Sequence, residues 1–217
     1  MGGLFDYDSK LFQLLVRICD LVFLSLLWLL FSLPIVTVGA STAALYYTAM
    51  KLVRDRGDSA VQMFFRSFKQ NLKPSLPVTL ILLFVAYMMA LDYMFLAPKY
   101  GGTGVFHGLC IVVLVAYAVV ASFAFPVLAK FSCTTKQVFR NAVYLAFSNP
   151  HIAVMVTGLH LVPLWLIYAH LDWFEQMQTL LFLFGPGVVA YLNSVALVPM
   201  FRKYIPAEQG EENEKKH

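Results

Sequence analysis

Charge is what this chain has least of. Asp, Glu, Lys and Arg make up 13% of its 217 residues, while 60% are hydrophobic. A soluble domain carries about a quarter charged residues. With a mean hydropathy of +0.72, the chain has too few polar side chains to give its apolar ones a water-facing cover. Lipid is the solvent such a composition requires. Cysteine is scarce too. Cys19, Cys110 and Cys133 are scattered and odd in number, which implies neither a disulfide framework nor a metal-ligand spacing. GxSxG, CxxC, HExxH and P-loop patterns are missing, and the carboxylates do not cluster. The expectation is a protein without catalysis, without a cofactor and without a bound metal. No basic stripe runs along the chain, so nucleic acid is not an expected partner.

What is present is a set of long runs free of charge. They cover residues 21–50, 74–91, 100–129, 141–171 and 176–201. A bilayer core takes about 20 apolar residues per helix, so the fold class is all-α, a polytopic membrane helix bundle. The first run follows Lys10, Arg17 and Asp20 and lacks a small-residue cleavage site. It reads as a retained membrane segment, not a signal peptide.

That first run is too long for one ordinary crossing and short for two. Pro34 and Gly39 fall in its middle, and proline breaks the helical hydrogen-bond ladder. The expected arrangement is a long helix 10–33, a bend at 34–40 and a shorter helix 41–54, a bent pair. Thr37, Ser41 and Thr42 supply hydroxyls that can satisfy backbone groups freed at the bend. The later spans are expected near 75–96, 105–129, 151–170 and 177–200, which makes about six segments. With the N-terminus inside, fifteen of the sixteen Lys and Arg residues fall on the inner side, and Lys99 alone falls outside. That asymmetry satisfies the positive-inside rule. It favours six segments over five, in a bacterial cytoplasmic membrane with both termini cytoplasmic. Residues 1–204 form one integral membrane domain. Residues 205–217 form a charged tail expected to be disordered.

Two inner segments have helical periodicity with a basic face. In 59–73, Val61, Phe64, Phe65, Phe68 and Leu72 recur at helical spacing, while Arg66, Lys69 and Gln70 face elsewhere and Lys73 closes the segment. In 131–148, Val138, Phe139, Val143 and Phe147 do the same against Lys136 and Arg140. Both read as amphipathic helices at the cytoplasmic interface. Their five cations are a candidate surface for lipid or a partner.

Inside the spans, His160 lies mid-segment, and a titratable group at that depth must face the bundle rather than lipid. Gly185-Pro186-Gly187 interrupts the last apolar run, and Asn193-Ser194 follow two turns on. A broken membrane helix can expose backbone to a substrate, or it can be a packing kink. His160, Asn193, Ser194, Gly185, Pro186 and Gly187 form the candidate intramembrane polar site. Pro34 and Gly39 are the candidate helix break. His107, His170, Asp92, Asp172 and Glu175 fall near the outer edge and read as polar segment ends without metal spacing.

Several stretches resemble the YesL family of Gram-positive membrane proteins. They are Phe31-Ser32-Leu33-Pro34-Ile35-Val36-Thr37-Val38-Gly39, then Ser41-Thr42-Ala43-Ala44-Leu45-Tyr46-Tyr47, and Phe64-Phe65-Arg66-Ser67-Phe68-Lys69-Gln70-Asn71. Ala190-Tyr191-Leu192-Asn193-Ser194 and Phe201-Arg202-Lys203-Tyr204 continue the resemblance, over about residues 3–204. The resemblance implies no activity. Members of that family are often encoded beside carbohydrate ABC importers and sugar-sensing kinases, so it implies an accessory or scaffold role in carbohydrate uptake. The chain lacks an EAA-type coupling motif, so it is not expected to be the importer's own transmembrane subunit. The expected partners are the lipid bilayer, subunits of an ABC sugar importer or a membrane sensor kinase, and a second copy of the chain. The alternative reading is a small secondary transporter or channel with its own polar path.

Overall fold

A computed structural model describes residues 10–54, 59–100, 104–131, 133–168 and 172–204. Seven helices follow in order: α1 (Lys10–Ser32), α2 (Val38–Val53), α3 (Ala60–Tyr100), α4 (Gly104–Lys130), α5 (Thr135–Ser148), α6 (Pro150–Tyr168) and α7 (Asp172–Arg202). A 3-10 turn at Ile35–Thr37 links the first two. No strand occurs among the described residues. The tail 205–217 lies outside them.

Among the described residues, four helices are long and apolar enough to cross a membrane, and five if the bent pair α5–α6 counts as one span. The expected count of six also included the segment that forms α2. At 16 residues, α2 is about 24 Å long, short of the ~30 Å hydrocarbon core.

Short as it is, α2 is the centre of the bundle. Gly39, Ala40, Ser41, Ala43, Ala44 and Ala49 are all buried along it. Lipid tails are as apolar as leucine, so helices in a bilayer associate by close packing, and small residues permit close approach. At Gly39 a β-carbon would collide with Thr79 Oγ1 of α3 and lie 2.8 Å from Phe125 of α4. Larger side chains fill the space further along. Leu24, Phe64, Phe123, Leu197, Met200 and Phe201 are fully buried around α2. Three buried hydroxyls are satisfied within their own helices: Thr48 donates to Ala44 O, Thr79 to Ser75 O and Ser194 to Ala190 O.

The bent pair forms, with a difference in where it breaks. The helix stops before Pro34 and resumes at Val38, so Gly39 lies inside α2 and not in the bend. Thr37 Oγ1 bonds Phe31 O at 2.7 Å and Pro34 O at 2.8 Å. Ser32 donates to Ser41 Oγ (2.6 Å), which itself donates to Val38 O, and Trp28 Nε1 donates to Thr42 Oγ1 (3.0 Å). The hydroxyls therefore do take up the groups that the turn frees.

The course of α1 departs from a simple hairpin. Arg17 donates to Tyr191 Oη on α7 (2.9 Å), and Trp28 reaches α2. Phe31 meets Phe64, Phe65 and Phe68 at the start of α3, with centroids 6.1, 5.4 and 4.8 Å away. The positive-inside reading put residue 31 and residues 64–68 at opposite faces. The rings bring them together, and α1 runs obliquely across α7, then α2, then α3.

Segment 59–73 is not a separate interfacial helix. It continues without interruption into the span, through Pro74 and Pro77, as the 41-residue α3. Nearby polar side chains fold back on the backbone: Asn71 Nδ2 donates to Ser67 O, and Ser75 Oγ to Leu72 O. Such local bonds let membrane helices tolerate proline. The buried face also differs from the periodicity. Met63, Phe64 and Ser67 are buried, while Val61 and Leu72 are exposed.

In α5 the shift is larger. Val138, Ala142, Leu145 and Ala146 are buried, and Val143 and Phe147 face outward. A capping box between Thr134 and Gln137 starts this helix, and it turns through 112° into α6.

Candidate functional site

The bundle's central polar site is assembled from three helices. Tyr46 of α2, His160 of α6 and Asn193 of α7 meet in the interior. Tyr46 Oη lies 2.9 Å from His160 Nε2, and Asn193 Nδ2 donates to Tyr46 Oη at 3.1 Å. His160 Nδ1 is 2.7 Å from Val156 O. A carbonyl only accepts, so Nδ1 carries the proton in that bond. Nε2 is then an acceptor, and the Tyr46 hydroxyl donates to it. The donors run in order Asn193, Tyr46, His160, and the chain ends on the Val156 carbonyl as acceptor. The 3.5 Å approach of Asn193 Nδ2 to His160 Nδ1 brings two donors together and adds no bond.

Two acceptors nearby in sequence are left over. Asn193 Oδ1 and Thr157 Oγ1 are buried without a hydrogen-bond partner among the described residues. A buried unpaired polar atom costs about 1–3 kcal/mol. Ser194, next to Asn193, is buried and bonded to its own helix. Of the residues singled out from sequence, the structure thus joins His160 with Asn193. The third partner, Tyr46, was not singled out. Its signal was a phenol inside a small-residue run at bilayer depth, where a buried Tyr hydroxyl needs a partner.

The Gly185-Pro186-Gly187 stretch is elsewhere, and it does not interrupt the helix. Pro186 lies inside a continuous α7. Ser25 of α1 is the reason the backbone stays satisfied there. Its Oγ accepts from Gly187 N (2.8 Å) and lies 3.0 Å from Phe184 O and 2.9 Å from Leu21 O. A β-carbon at Gly187 would collide with Leu21 O and lie 2.6 Å from Ser25 Oγ. Here glycine provides room for another backbone, and the segment acts as a packing joint between α1 and α7.

The basic residues gather at one end. Lys51 and Arg54 stand at the end of α2, Lys130 at the end of α4 and Arg202 at the end of α7. Rings tie this end together: Phe131 meets Phe201 at 5.5 Å and Tyr144 meets Tyr204 at 6.0 Å, while Asn149 Nδ2 donates to Tyr204 Oη at 3.2 Å. Arg66, Lys69 and Lys73 are exposed on one side of α3, and Lys136 and Arg140 are exposed on α5. Cys133, in the α4–α5 connection, has its thiol pushed up by burial, against smaller opposing effects of the Asn141 amide and Arg140. Among the described residues, no three His, Cys, Asp or Glu side chains are grouped to hold a metal. The side chains of His170, Asp172 and Glu175 lie outside those described.

Residues 21–93 match the family described as "Protein of unknown function, DUF624". That stretch spans the second half of α1, all of α2 and the greater part of α3, and so includes Tyr46, Arg66, Lys69 and Lys73 but not His160 or Asn193. An "Uncharacterized protein YesL" of Bacillus subtilis (strain 168) is 26% identical over 199 residues, covering 90% of each chain. Together the two matches support a YesL-family assignment. No solved structure matches significantly.

Proposed function

We propose, on the premise of that YesL-family assignment, that the chain is a non-catalytic accessory protein of a bacterial carbohydrate uptake system. It resides in the cytoplasmic membrane with both termini on the cytoplasmic side, and its basic end faces the cytoplasm. The observation that carries this reading is the exposure of Arg66, Lys69, Lys73, Lys136 and Arg140 on two helices at one end of the bundle. Exposed cations on a helix face serve recognition and steering more than stability. The carbohydrate association comes from the family resemblance, in which neighbouring genes encode ABC importers and sugar-sensing kinases.

Affinity purification from the native host in mild detergent, read by mass spectrometry, tests it. Stoichiometric recovery of ABC permease subunits or of a membrane kinase is the expected result. Recovery should fall on changing Arg66, Lys69 and Lys73 to Gln. Purification of the chain alone, from wild type and variant alike, counts against the accessory role.

A second reading is favoured by the unpaired Asn193 Oδ1 beside His160. An interior acceptor without a partner fits a small secondary transporter whose polar path passes the Tyr46–His160–Asn193 network. That reading expects solute flux in proteoliposomes, lost in His160→Ala and Asn193→Ala at normal expression.

A further inference from the structure

A second polar feature lies apart from the central network, at the basic end. An open-sided crevice with about 30 Å³ of water-accessible space is lined by Tyr47, Met50, Lys51, Arg54, Lys130, Val198 and Phe201. Three of these carry positive charge, and none of the described lining residues is a carboxylate. Lys51 Nζ stands 5.7 Å from the centroid of the Tyr47 ring.

The cations of this crevice differ from those of the rest of the surface. Arg66, Lys69, Lys73, Lys136 and Arg140 are exposed, whereas Lys51, Arg54 and Lys130 are half-buried. Holding three positive charges together away from full hydration is unfavourable unless negative charge compensates it. Helix C-termini supply some, because α2 and α4 both end here and a cation in the last turn is worth up to about 1 kcal/mol. All three side chains engage other groups as well. Dipole compensation accounts for a cation at each helix end. It does not account for their convergence on a crevice whose other walls, Met50, Val198 and Phe201, are apolar. Charge on one side and hydrocarbon on the other is the pattern of an amphiphile site, and basic pockets between membrane helices bind phosphate headgroups.

We propose that this crevice binds a phosphate group, held by Lys51, Arg54 and Lys130, and that the group is the headgroup phosphate of an anionic lipid whose chain lies along Met50, Val198 and Phe201. Arg54 supplies a planar fork suited to two phosphate oxygens, and the lysines act as point charges. A free phosphate would meet the cations and leave the apolar wall unused. The proposal does not depend on the accessory reading.

Native mass spectrometry of the purified full chain in a neutral detergent tests it. The probes are phosphatidylglycerol, phosphatidylcholine and inorganic phosphate. The expected result is phosphatidylglycerol bound at least about tenfold tighter than phosphatidylcholine. Lys130→Gln and Arg54→Gln should each weaken phosphatidylglycerol about tenfold, the size of one lost charge-assisted bond, while Lys99→Gln, in the last turn of α3, leaves it unchanged. Lys130 is half-exposed at a helix end, so its variant decides the matter if Arg54→Gln does not fold. Equal binding of the two lipids overturns the proposal, as does phosphatidylglycerol binding that survives Lys130→Gln. Inorganic phosphate binding that Lys130→Gln abolishes, without a preference between the lipids, assigns the crevice to free phosphate and overturns the lipid assignment.

Discussion

Tyr46 Oη and His160 Nε2 lie 2.9 Å apart although 114 residues separate them in the chain. Their bond joins α2 to α6, and Asn193 extends it to α7. Removing the phenol hydroxyl therefore strands both an acceptor nitrogen and an amide donor in a buried site. Tyr46→Phe is expected to cost about 1–3 kcal/mol, read as a lower unfolding temperature in detergent. Because one hydroxyl serves both partners, Tyr46→Phe and Asn193→Ala should be non-additive, with a coupling of about 0.5–3 kcal/mol. Additive losses would mean the network is not a unit.

Glycines in this bundle are not equivalent, and a pair of substitutions separates them. At Gly187 an added methyl meets the backbone of Leu21 and the hydroxyl of Ser25, while at Gly158 it meets open space. Gly187→Ala must push α1 away from α7 and is expected to destabilise by about 1–3 kcal/mol, as overpacking does. Gly158→Ala should be neutral or gain up to about 1 kcal/mol from helix propensity. Thermal unfolding of the two variants side by side checks the contrast. Equal effects would contradict the joint between α1 and α7.

Much of this architecture was legible in the sequence, because composition and proline position act locally. The charge-free runs located the spans, Pro34 ended α1 where expected, and the hydroxyls of Thr37, Ser41 and Thr42 took the turn's backbone groups. Other features depended on contacts distant in sequence. Gly185-Pro186-Gly187 reads as a break from local rules, and only Ser25, 162 residues from Gly187, keeps it a helix. Periodicity marked the amphipathic helices but not which apolar residues turn inward, since neighbouring helices decide that. Hence Phe147 is 83% exposed while Ala142 and Ala146 are buried. His160 required an interior partner, yet nothing in its surroundings pointed to Tyr46.

Cys133 offers a probe of the α4–α5 connection. Burial raises its thiol above the usual range, and the Asn141 amide, 3.6 Å from Sγ, opposes that rise. A raised value means less thiolate at any pH below it, and thiolate is the reactive form. In a Cys19→Ser, Cys110→Ser background, iodoacetamide should label Cys133 more slowly at pH 8 than it labels an ordinary exposed thiol. The rate should climb with pH to a midpoint above that of the free thiol. Asn141→Ala removes an opposing effect and should move the midpoint higher still. A midpoint at or below the free-thiol value would contradict the burial.

The last prediction concerns how α5 meets the bilayer. Its outward face carries Lys136 and Arg140 toward the start and Tyr144 and Phe147 toward the end. A 112° turn separates it from α6, so if α6 stands along the membrane normal, α5 lies within about 25° of the membrane plane. An exposed phenylalanine beside two cations is then placed to enter the headgroup–acyl boundary, while the charges stay with the phosphates. Phe147→Trp, with Trp28, Trp165 and Trp173 changed to Phe, gives a single fluorophore at that position. In vesicles its emission should be blue-shifted relative to detergent-free water, and lipids brominated near the headgroup should quench it more than lipids brominated near the chain ends. Phe147→Ser should leave the stability in detergent within about 0.5 kcal/mol of wild type, because no protein group packs over a side chain so exposed. Emission at the fully aqueous wavelength with no lipid quenching would show that α5 stands clear of the bilayer, which would leave its outward aromatic residues for a protein partner instead.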